Sequence, residues 1–174
     1  MAVPQRHENL PGQMPLQEQD IPSLFSDFDL YLFGQGKHYR IYEKMGAHFR
    51  TVNGVEGVNF AVWAPHARAV SVIGNFNFWS HGSNPMHLRH NDLGVWECFI
   101  PGLRIGELYK YAISSKFNNY VVEKADPYGF AAELRPKTAC MPGSHRSMWF
   151  YRLPPLQRFG TCYCHGTTSW GLPL

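Results

Sequence analysis

Hydrophobic and polar residues alternate in short runs between residues 47 and 139. In one run, Val58, Phe60 and Val62 share one side of an extended chain, while Asn59 and Ala61 share the other. A period of two predicts half-buried β-strands. The six runs that fit are Ala47–Val52, Gly57–Trp63, Ala69–Ile73, Gly94–Ile100, Glu107–Ser114 and Tyr120–Glu123.

Turn-forming residues separate these runs at intervals of roughly 10–15 residues, which is typical of an antiparallel sandwich. Asn53-Gly54 and Asn118-Asn119 are predicted hairpin turns, because Asn and Gly tolerate positive φ angles. We therefore predict an all-β fold, an immunoglobulin-like β-sandwich. The chain shows neither an alternation of strands with helices nor a G-x-G-x-x-G run after a strand, so nothing in the sequence indicates a dinucleotide-binding fold.

One short helix is predicted ahead of the sandwich. Pro22 or Ser23 stands at its start, apolar residues such as Leu24, Phe25 and Phe28 follow, and glycines at 34 and 36 end it. Residues 1–21 are polar, contain three prolines and have no period, so we interpret them as a flexible leader. The predicted module, helix included, spans residues 22–139.

Residues 140–174 are predicted to form an irregular tail. Glu133 is the last acidic residue of the chain, and three of the four cysteines follow Ala139. Neither a helical nor a strand period persists there. We hypothesise that the reading frame changes near Thr138 to Cys140. The alternative is a short extension that folds back across the edge of the sandwich.

Charge and cysteine content exclude several functions. The chain has 16 basic and 13 acidic residues, and three of the basic ones follow Ala139, so the body carries 13 of each. Without a basic cluster we expect no nucleic-acid partner. The chain contains neither an apolar run of membrane-spanning length nor a secretory signal, so we expect no membrane association and a cytoplasmic location.

No cofactor or metal is expected. His81, His87 and His90 lie close in sequence but lack the spacing of a metal site, and Cys162-Tyr163-Cys164-His165 has no second pair of ligands. The four cysteines do not form the framework of a small disulfide-rich domain.

Five runs of the sequence carry a resemblance to a known family. They are FGQGKHYRIYEKMGAH (Phe33–His48), GVNFAVWAPHARAVSVIGNFNFW (Gly57–Trp79), GVWECFIPGL (Gly94–Leu103), ELYKYAI (Glu107–Ile113) and EKADPYGFAAELRPKTA (Glu123–Ala139). In this order the runs resemble the N-terminal region of 1,4-α-glucan (glycogen) branching enzymes, a carbohydrate-binding module of the family 48 type. The resemblance covers about Ser23 to Ala139.

The resemblance implies a role in glycogen biosynthesis, where these transferases move a segment of a 1,4-α-glucan to a 6-hydroxyl. In them the module precedes a (β/α)₈ barrel of glycoside hydrolase family 13 that carries an aspartate nucleophile, a glutamate acid/base and a second aspartate. Such a barrel needs ~250 residues, but only 35 follow Ala139. We expect this chain, truncated before the barrel, to contain no catalytic residues and to be inactive by itself.

Trp79 is the first predicted glucan-binding residue. The motif Asn75-Phe76-Asn77-Phe78-Trp79 follows a predicted strand and places an indole in a loop, where a sugar ring can stack on it. In related modules the tryptophan of this motif stacks on glucose, and we include Asn77 in the predicted site. The alternative is that Trp79 packs on the edge of the sandwich.

Lys110 is the second predicted binding residue, because related modules use the lysine of this Tyr-Lys pair to donate to a glucan hydroxyl. A solvated outer face would equally explain a lysine in mid-strand. The second stacking tryptophan of those modules has no match in this sequence. Tyr120 is the predicted substitute, with Asn118 or Asn119 as a polar contact.

Two other motifs are interpreted as structural. Trp63, before Pro65, is expected to pack in the core, as are Trp96 and Cys98. Asp126-Pro127-Tyr128 is expected to set a turn.

The predicted partner is an α-glucan, such as glycogen or a maltooligosaccharide. Two alternatives remain open: a module that binds a protein through the surface that would face the barrel, and an inactive remnant.

Overall fold

Two antiparallel sheets pack face to face in the computed structural model, which describes residues 21–90, 93–117, 120–133 and 136–143. The first sheet has the order β1-β2-β5-β4 and the second β3-β6-β9-β8, with β7 also paired to β6. This confirms the predicted all-β, immunoglobulin-like sandwich. The strands are β1 (Gly46–Val52), β2 (Val55–Trp63), β3 (Ala67–Gly74), β4 (His87–His90), β5 (Val95–Pro101), β6 (Tyr109–Ser115), β7 (Val121–Lys124), β8 (Ala131–Ala132) and β9 (Cys140–Met141).

Each of the six predicted strands corresponds to a strand of the structure. The sequence did not indicate β4, β8 or β9; β8 and β9 have two residues each, which is too short to display a period. The β1–β2 hairpin closes as predicted: Val52 pairs with Val55, and Asn53 and Gly54 between them have φ angles of 51° and 80°.

The helix α1 (Asp27–Gly34) begins later than predicted. Ser26 caps it: the Asp29 amide donates to the Ser26 hydroxyl over 3.2 Å, and the Ser26 amide donates to the Asp29 carboxylate over 2.8 Å. A start at Ser23 is therefore wrong, since the Ser23 hydroxyl donates instead to Glu97, 2.6 Å away. A 3₁₀ helix (Ile41–Glu43) follows before β1.

The outer face of the first sheet is covered by the chain's own N-terminal segment. Phe25 and Leu30 pack there against Met45, Ala61 and Val95. Beside them lies the Glu97 cluster, in which the carboxylate of Glu97, only 1% exposed, accepts four hydrogen bonds. The donors are the Ser23 hydroxyl, the Leu24 amide, the Asn59 side chain and Arg89 Nε.

The main core lies between the sheets and contains Trp96 and Cys98, as predicted. At one end of it, Asp126 accepts hydrogen bonds from the Tyr109 and Tyr111 hydroxyls over 2.6 and 3.0 Å. Burial raises the pKa of Asp126 and, together with its carboxylate, the pKa of both tyrosines. Asp126 also accepts from the Tyr128 amide over 2.8 Å, so it holds the predicted turn and anchors it to the core.

Trp63 corrects another expectation, because its side chain is not in the core. The residue is 56% exposed at the end of β2, where its indole donates to the Leu93 carbonyl over 2.7 Å and its ring meets Phe33 edge-on. The inward positions of β2 belong to Val58, Phe60 and Val62. Trp63 lies in the other phase of the strand, on the outer face.

The sandwich continues past the predicted boundary at Ala139. Cys140 pairs with Tyr109 and is buried in the main core. The tail from residue 144 onward, including the Cys162–His165 motif, lies outside the described residues, as do residues 1–20 of the leader and the turn at 118–119. In the part that is described, no helix has the length and apolar character needed to cross a membrane.

Candidate functional site

Trp79 lies in a tight loop on the outer side of the second sheet. The loop begins at the end of β3 with a 3₁₀ helix (Asn75–Asn77), and Phe78 and Trp79 follow with φ angles of 54° and 58°. Two consecutive bulky residues in the left-handed region are uncommon, and such conformations cost of order 1–3 kcal/mol each. The surrounding hydrogen bonds must therefore hold this loop in its conformation.

Asn77 supplies most of those hydrogen bonds. The side-chain oxygen Asn77 Oδ1 accepts from the Gly74 amide over 2.8 Å. The side-chain nitrogen Asn77 Nδ2 donates to the Val72 carbonyl and to Asn84 Oδ1, each over 2.8 Å. The Trp79 amide closes the loop on the Gly74 carbonyl over 2.9 Å. The Asn77 side chain is thus engaged inside the protein and positions the loop that carries Trp79.

Gly74 is required at the base of the loop. A Cβ at this position would lie 2.2 Å from the Leu108 carbonyl oxygen and 2.5 Å from the Phe76 ring. No side chain can be accommodated at those distances, and a glycine allows the loop to turn directly against the start of β6.

The Trp79 indole is oriented by its own loop. Its Nε1 donates to Asn75 Oδ1 over 3.1 Å, and the ring remains partly exposed. Phe78 beside it is 93% exposed. The loop therefore offers solvent an aromatic surface whose polar edge is already satisfied.

Lys110 reaches this ring from β6. Lys110 pairs with Ile73 in the sheet and alternates with the inward-facing Tyr109 and Tyr111, so it projects from the outer face. Its Nζ lies 5.7 Å from the centroid of the Trp79 ring, within the range of a cation–π interaction.

Glu123 and His81 complete the cluster. Glu123 on β7 pairs with Ala112, which places it on the same face as Lys110. Its carboxylate oxygens lie 3.7 Å from Lys110 Nζ and 3.1 Å from His81 Nε2. We call Trp79, Lys110, Glu123 and His81 the Trp79 face.

The charges of the Trp79 face remain in contact with solvent. The Glu123 side chain is 43% exposed, and those of Lys110 and His81 are 20% and 50% exposed. Ion pairs of this kind contribute at most about 1 kcal/mol to stability. Their donors and acceptors are consequently accessible to a ligand that exchanges hydrogen bonds with them.

The structure does not bring Tyr120 to the Trp79 face. The Tyr120 carbonyl accepts from the Ser115 amide over 2.8 Å, which puts Tyr120 at the far end of β6. Lys110 and Ser115 are five residues apart on this strand, or roughly 17 Å. Tyr120 is exposed there, and Asn118, its predicted polar neighbour, lies outside the described residues.

Glu123 and His81 were not among the predicted site residues, and for Glu123 the reason is the register of one hairpin. A two-residue turn at 118–119 would place Glu123 opposite Ser114, whereas the observed partner is Ala112. The connection is longer, because Ser115 and Tyr120 close it. The alternation of β7 placed Glu123 on one face, but turn length decided how near it lies to Lys110.

The arrangement suits a neutral, hydroxyl-rich ligand. A partly exposed indole provides an apolar surface for the C–H face of a sugar ring. An ammonium donor and a carboxylate acceptor lie beside it, and hydroxyl groups can satisfy both. Fold and site together define the class: an immunoglobulin-like sandwich module with the features of a carbohydrate-binding surface.

The family follows from comparison with known sequences. Residues 44–129 match the family model described as carbohydrate-binding module 48 (isoamylase N-terminal domain). The range runs from just before β1 to the Asp126 turn, so it includes Trp79, Lys110, Glu123 and His81. This sandwich belongs to the carbohydrate-binding module 48 family.

The curated relatives are 1,4-alpha-glucan branching enzymes. The enzyme of Thermosynechococcus vestitus is 60% identical over 114 residues, which is 66% of this chain and 14% of the relative. That of Nitrobacter winogradskyi is 52% identical over 118 residues, or 68% of this chain and 16% of the relative. The chain thus spans about one seventh of the length of these enzymes, and it resembles their N-terminal region, as the sequence runs indicated.

Solved structures with a similar fold include pullulanases. The Klebsiella pneumoniae pullulanase complexed with maltotriose is 24% identical with a TM-score of 0.46, covering 57% of this chain and 9% of that one. The Bacillus acidopullulyticus pullulanase is 23% identical with a TM-score of 0.45, covering 59% of this chain and 12% of that one.

Proposed function

We propose that this module binds α-glucan chains through the Trp79 face, with the ring of Trp79 as the stacking platform and Lys110 as a hydrogen-bond donor. The observation that carries the proposal is the loop itself. Two bulky residues are held at positive φ by the Asn77 hydrogen bonds, and the result is a partly exposed indole with an ammonium group 5.7 Å away. Backbone strain of this kind is concentrated at ligand-binding sites.

Glu123 and His81 extend the polar half of the proposed site. A glucosyl unit stacked on Trp79 presents hydroxyls at its rim, where Lys110 donates and Glu123 accepts. Because the proposed site uses Trp79 alone as its stacking platform, and Tyr120 lies at the far end of β6, we expect each site to bind weakly. Repeated sites on a branched polymer would then raise the retention by glycogen.

The biological role we propose is that of a glucan-binding region in glycogen metabolism, in the cytoplasm. It is supported by the branching-enzyme relatives, which share 52–60% identity over this region. The transfer reaction named for those enzymes is not assigned to this module.

Affinity electrophoresis of the full chain through gels with and without glycogen tests the proposal. We expect the chain to be retarded by glycogen and Trp79→Ala to lose that retardation, since truncating a stacking aromatic costs about 1–3 kcal/mol, or roughly 5- to 150-fold in affinity.

Trp63→Ala is the matched control, because it removes a second solvent-exposed tryptophan from the other sheet. It should be retarded as the wild type is. Circular dichroism establishes that both variants fold. Equal retardation of the wild type and a folded Trp79→Ala variant contradicts the proposal.

A further inference from the structure

A groove lies at one end of the sandwich and has no lining residue in common with the Trp79 face. The β1–β2 hairpin forms one wall, with Phe49, Thr51 and Glu56, and the loop after β5 forms the other, with Leu103, Arg104 and Ile105. Its volume is about 610 Å³. Ligand sites in proteins commonly measure ~300–1,000 Å³, so the groove is large enough for a small molecule or a segment of a polymer.

The apolar part of this groove is exposed to solvent and packs on the main core beneath it. Phe49 is 36% exposed and Ile105 62% exposed, whereas Leu103 packs against the main core. Phe49 pairs with Val58 and so shares the inward phase of β1, yet its side chain is exposed at the groove. An aromatic ring held in this way gives a sugar ring a surface to stack on.

The charged part of the groove consists of two cations, Arg50 and Arg104, and one anion, Glu56. Among the described residues, neither the Arg104 guanidinium nor the Glu56 carboxylate has a hydrogen bond or an ion pair with a side chain or the backbone. Arg50 also lines the groove, but its guanidinium donates to Asn59, 3.4 Å away, on the outer face of the sheet. One free donor and one free acceptor match a neutral polyol rather than an anion.

We propose that this groove is a second binding site for α-glucan chains, independent of the Trp79 face. Phe49 is the stacking surface, Arg104 donates to the ligand's oxygens, and Glu56 accepts from its hydroxyls. The ligand class rests on the proposed function, while the location rests on the groove alone. The two sites share no residue, so one chain can hold two points of a branched polymer.

An NMR titration of the ¹⁵N-labelled full chain with maltoheptaose tests both sites at once. We expect two separate sets of amide shifts: one around Trp79, Lys110 and Glu123, and one around Thr51, Glu56 and Ile105. Cellohexaose, a β-linked glucan, is the control ligand and should move neither set at the same concentration.

Variants assign each set. Phe49→Ala should weaken the groove's binding about tenfold and leave the Trp79 set unchanged, whereas Trp79→Ala should do the reverse. Phe117→Ala, which removes an exposed phenylalanine outside both sites, is the control. If Phe49→Ala fails to fold, Arg104→Ala serves instead, because this side chain has no partner within the described structure.

The outcomes separate the two proposals. Shifts at the Trp79 set without shifts at the groove overturn the second site and leave the proposed function standing. In another outcome, the wild type shows shifts at the groove but none around Trp79, and the groove shifts persist in Trp79→Ala. That outcome overturns the proposed function and supports the groove. No shifts at either set overturn both.

Discussion

The two outer faces of this sandwich carry similar residues with opposite outcomes. The first sheet has Trp63 and the pair Glu97–Arg89, and the second has Trp79 and the pair Glu123–Lys110. On the first sheet, α1 and the segment before it cover the face, and Glu97 is 1% exposed with four hydrogen bonds. On the second, Glu123 remains in solvent. The acid–base pair is therefore an internal anchor on the first face and accessible to solvent on the second, whereas the tryptophans of both faces keep contact with solvent.

This difference shows that burial, rather than residue type, separates a structural cluster from a binding surface. The carboxylate of Glu97 has its hydrogen-bonding capacity filled by the protein, so it can offer a ligand little. The carboxylate of Glu123 is shared between two exposed partners at 3.1 and 3.7 Å. A ligand can replace those weak contacts without leaving a buried charge unpaired.

The largest effect on stability is expected for Glu97→Ala. Removing one partner of a buried, hydrogen-bonded charge pair costs about 3–5 kcal/mol, because Arg89 and Asn59 lose their acceptor. We expect urea unfolding to show that loss, and proteolysis ahead of Phe25 to become faster. The matched variant Glu123→Ala should unfold within about 0.5 kcal/mol of the wild type. Equal losses in the two variants would mean that the faces do not differ as described.

The pH dependence of stability gives a second test of the outer face of the first sheet, which the N-terminal segment covers. Burial raises the pKa of the Asp29 carboxyl, but hydrogen bonds from Lys44, Ser26 and His38 outweigh it and hold this pKa well below its usual value of 3.8. The unfolded chain therefore takes up the proton first as the pH falls. The stability contributed by charged Asp29 is complete above about pH 5 and is lost progressively as the pH falls from there toward the depressed pKa of the folded state.

Asp29→Asn should remove this part of the pH dependence. At neutral pH we expect a loss of about 2 kcal/mol, since hydrogen bonds to a charged group contribute about 1.5–3 kcal/mol. Below about pH 5 the difference between the variant and the wild type should shrink steadily as the pH falls. Asp126, whose pKa is raised by burial, acts in the opposite direction, but it is present in both proteins and cancels in their difference. Parallel curves of unfolding free energy against pH would contradict the role of Asp29.

Lys110→Ala tests the role of the Trp79 face in ligand binding. The change removes the ammonium that lies over the Trp79 ring and donates in the proposed site. We expect maltoheptaose binding to weaken by about 1 kcal/mol, or roughly fivefold, with little change in unfolding free energy. Isothermal titration calorimetry measures the first quantity and urea unfolding the second. Lys124→Ala, on the same hairpin but without an ion pair in the described structure, is the control.

The smallest effect is expected for Glu123→Gln. The amide keeps an acceptor for a glucan hydroxyl but loses the charge that pairs with Lys110 and His81. Affinity for maltoheptaose should fall by about 0.5 kcal/mol, roughly twofold, and the fall should shrink in 0.5 M salt, where exposed charges are screened. A tenfold loss that is unaffected by salt would show that Glu123 acts through something other than these exposed pairs.

The sequence by itself determined the sandwich and its family. Alternating runs such as Val58–Phe60–Val62 can bury one side only as strands, and Asn53-Gly54 can close a hairpin only at positive φ, so both features are local and readable. The motif ending in Trp79 marked the loop of the proposed site for the same reason. Helix α1 was also indicated, but two nearby serines compete as its cap.

The tertiary structure decided which residues meet. Ser26 rather than Ser23 begins α1, because the Ser23 hydroxyl bonds to Glu97, 74 positions away. Trp63 stays exposed although its strand looks apolar: the N-terminal segment covers Ala61 on the same outer face, whereas Trp63 lies at the end of the strand. Glu123 joins Lys110, and Tyr120 does not, through the register of one hairpin. Periodicity assigns a side chain to one face of a sheet. Long-range pairing then sets the neighbours and the burial of that side chain, and these determine its hydrogen bonds and its charge interactions.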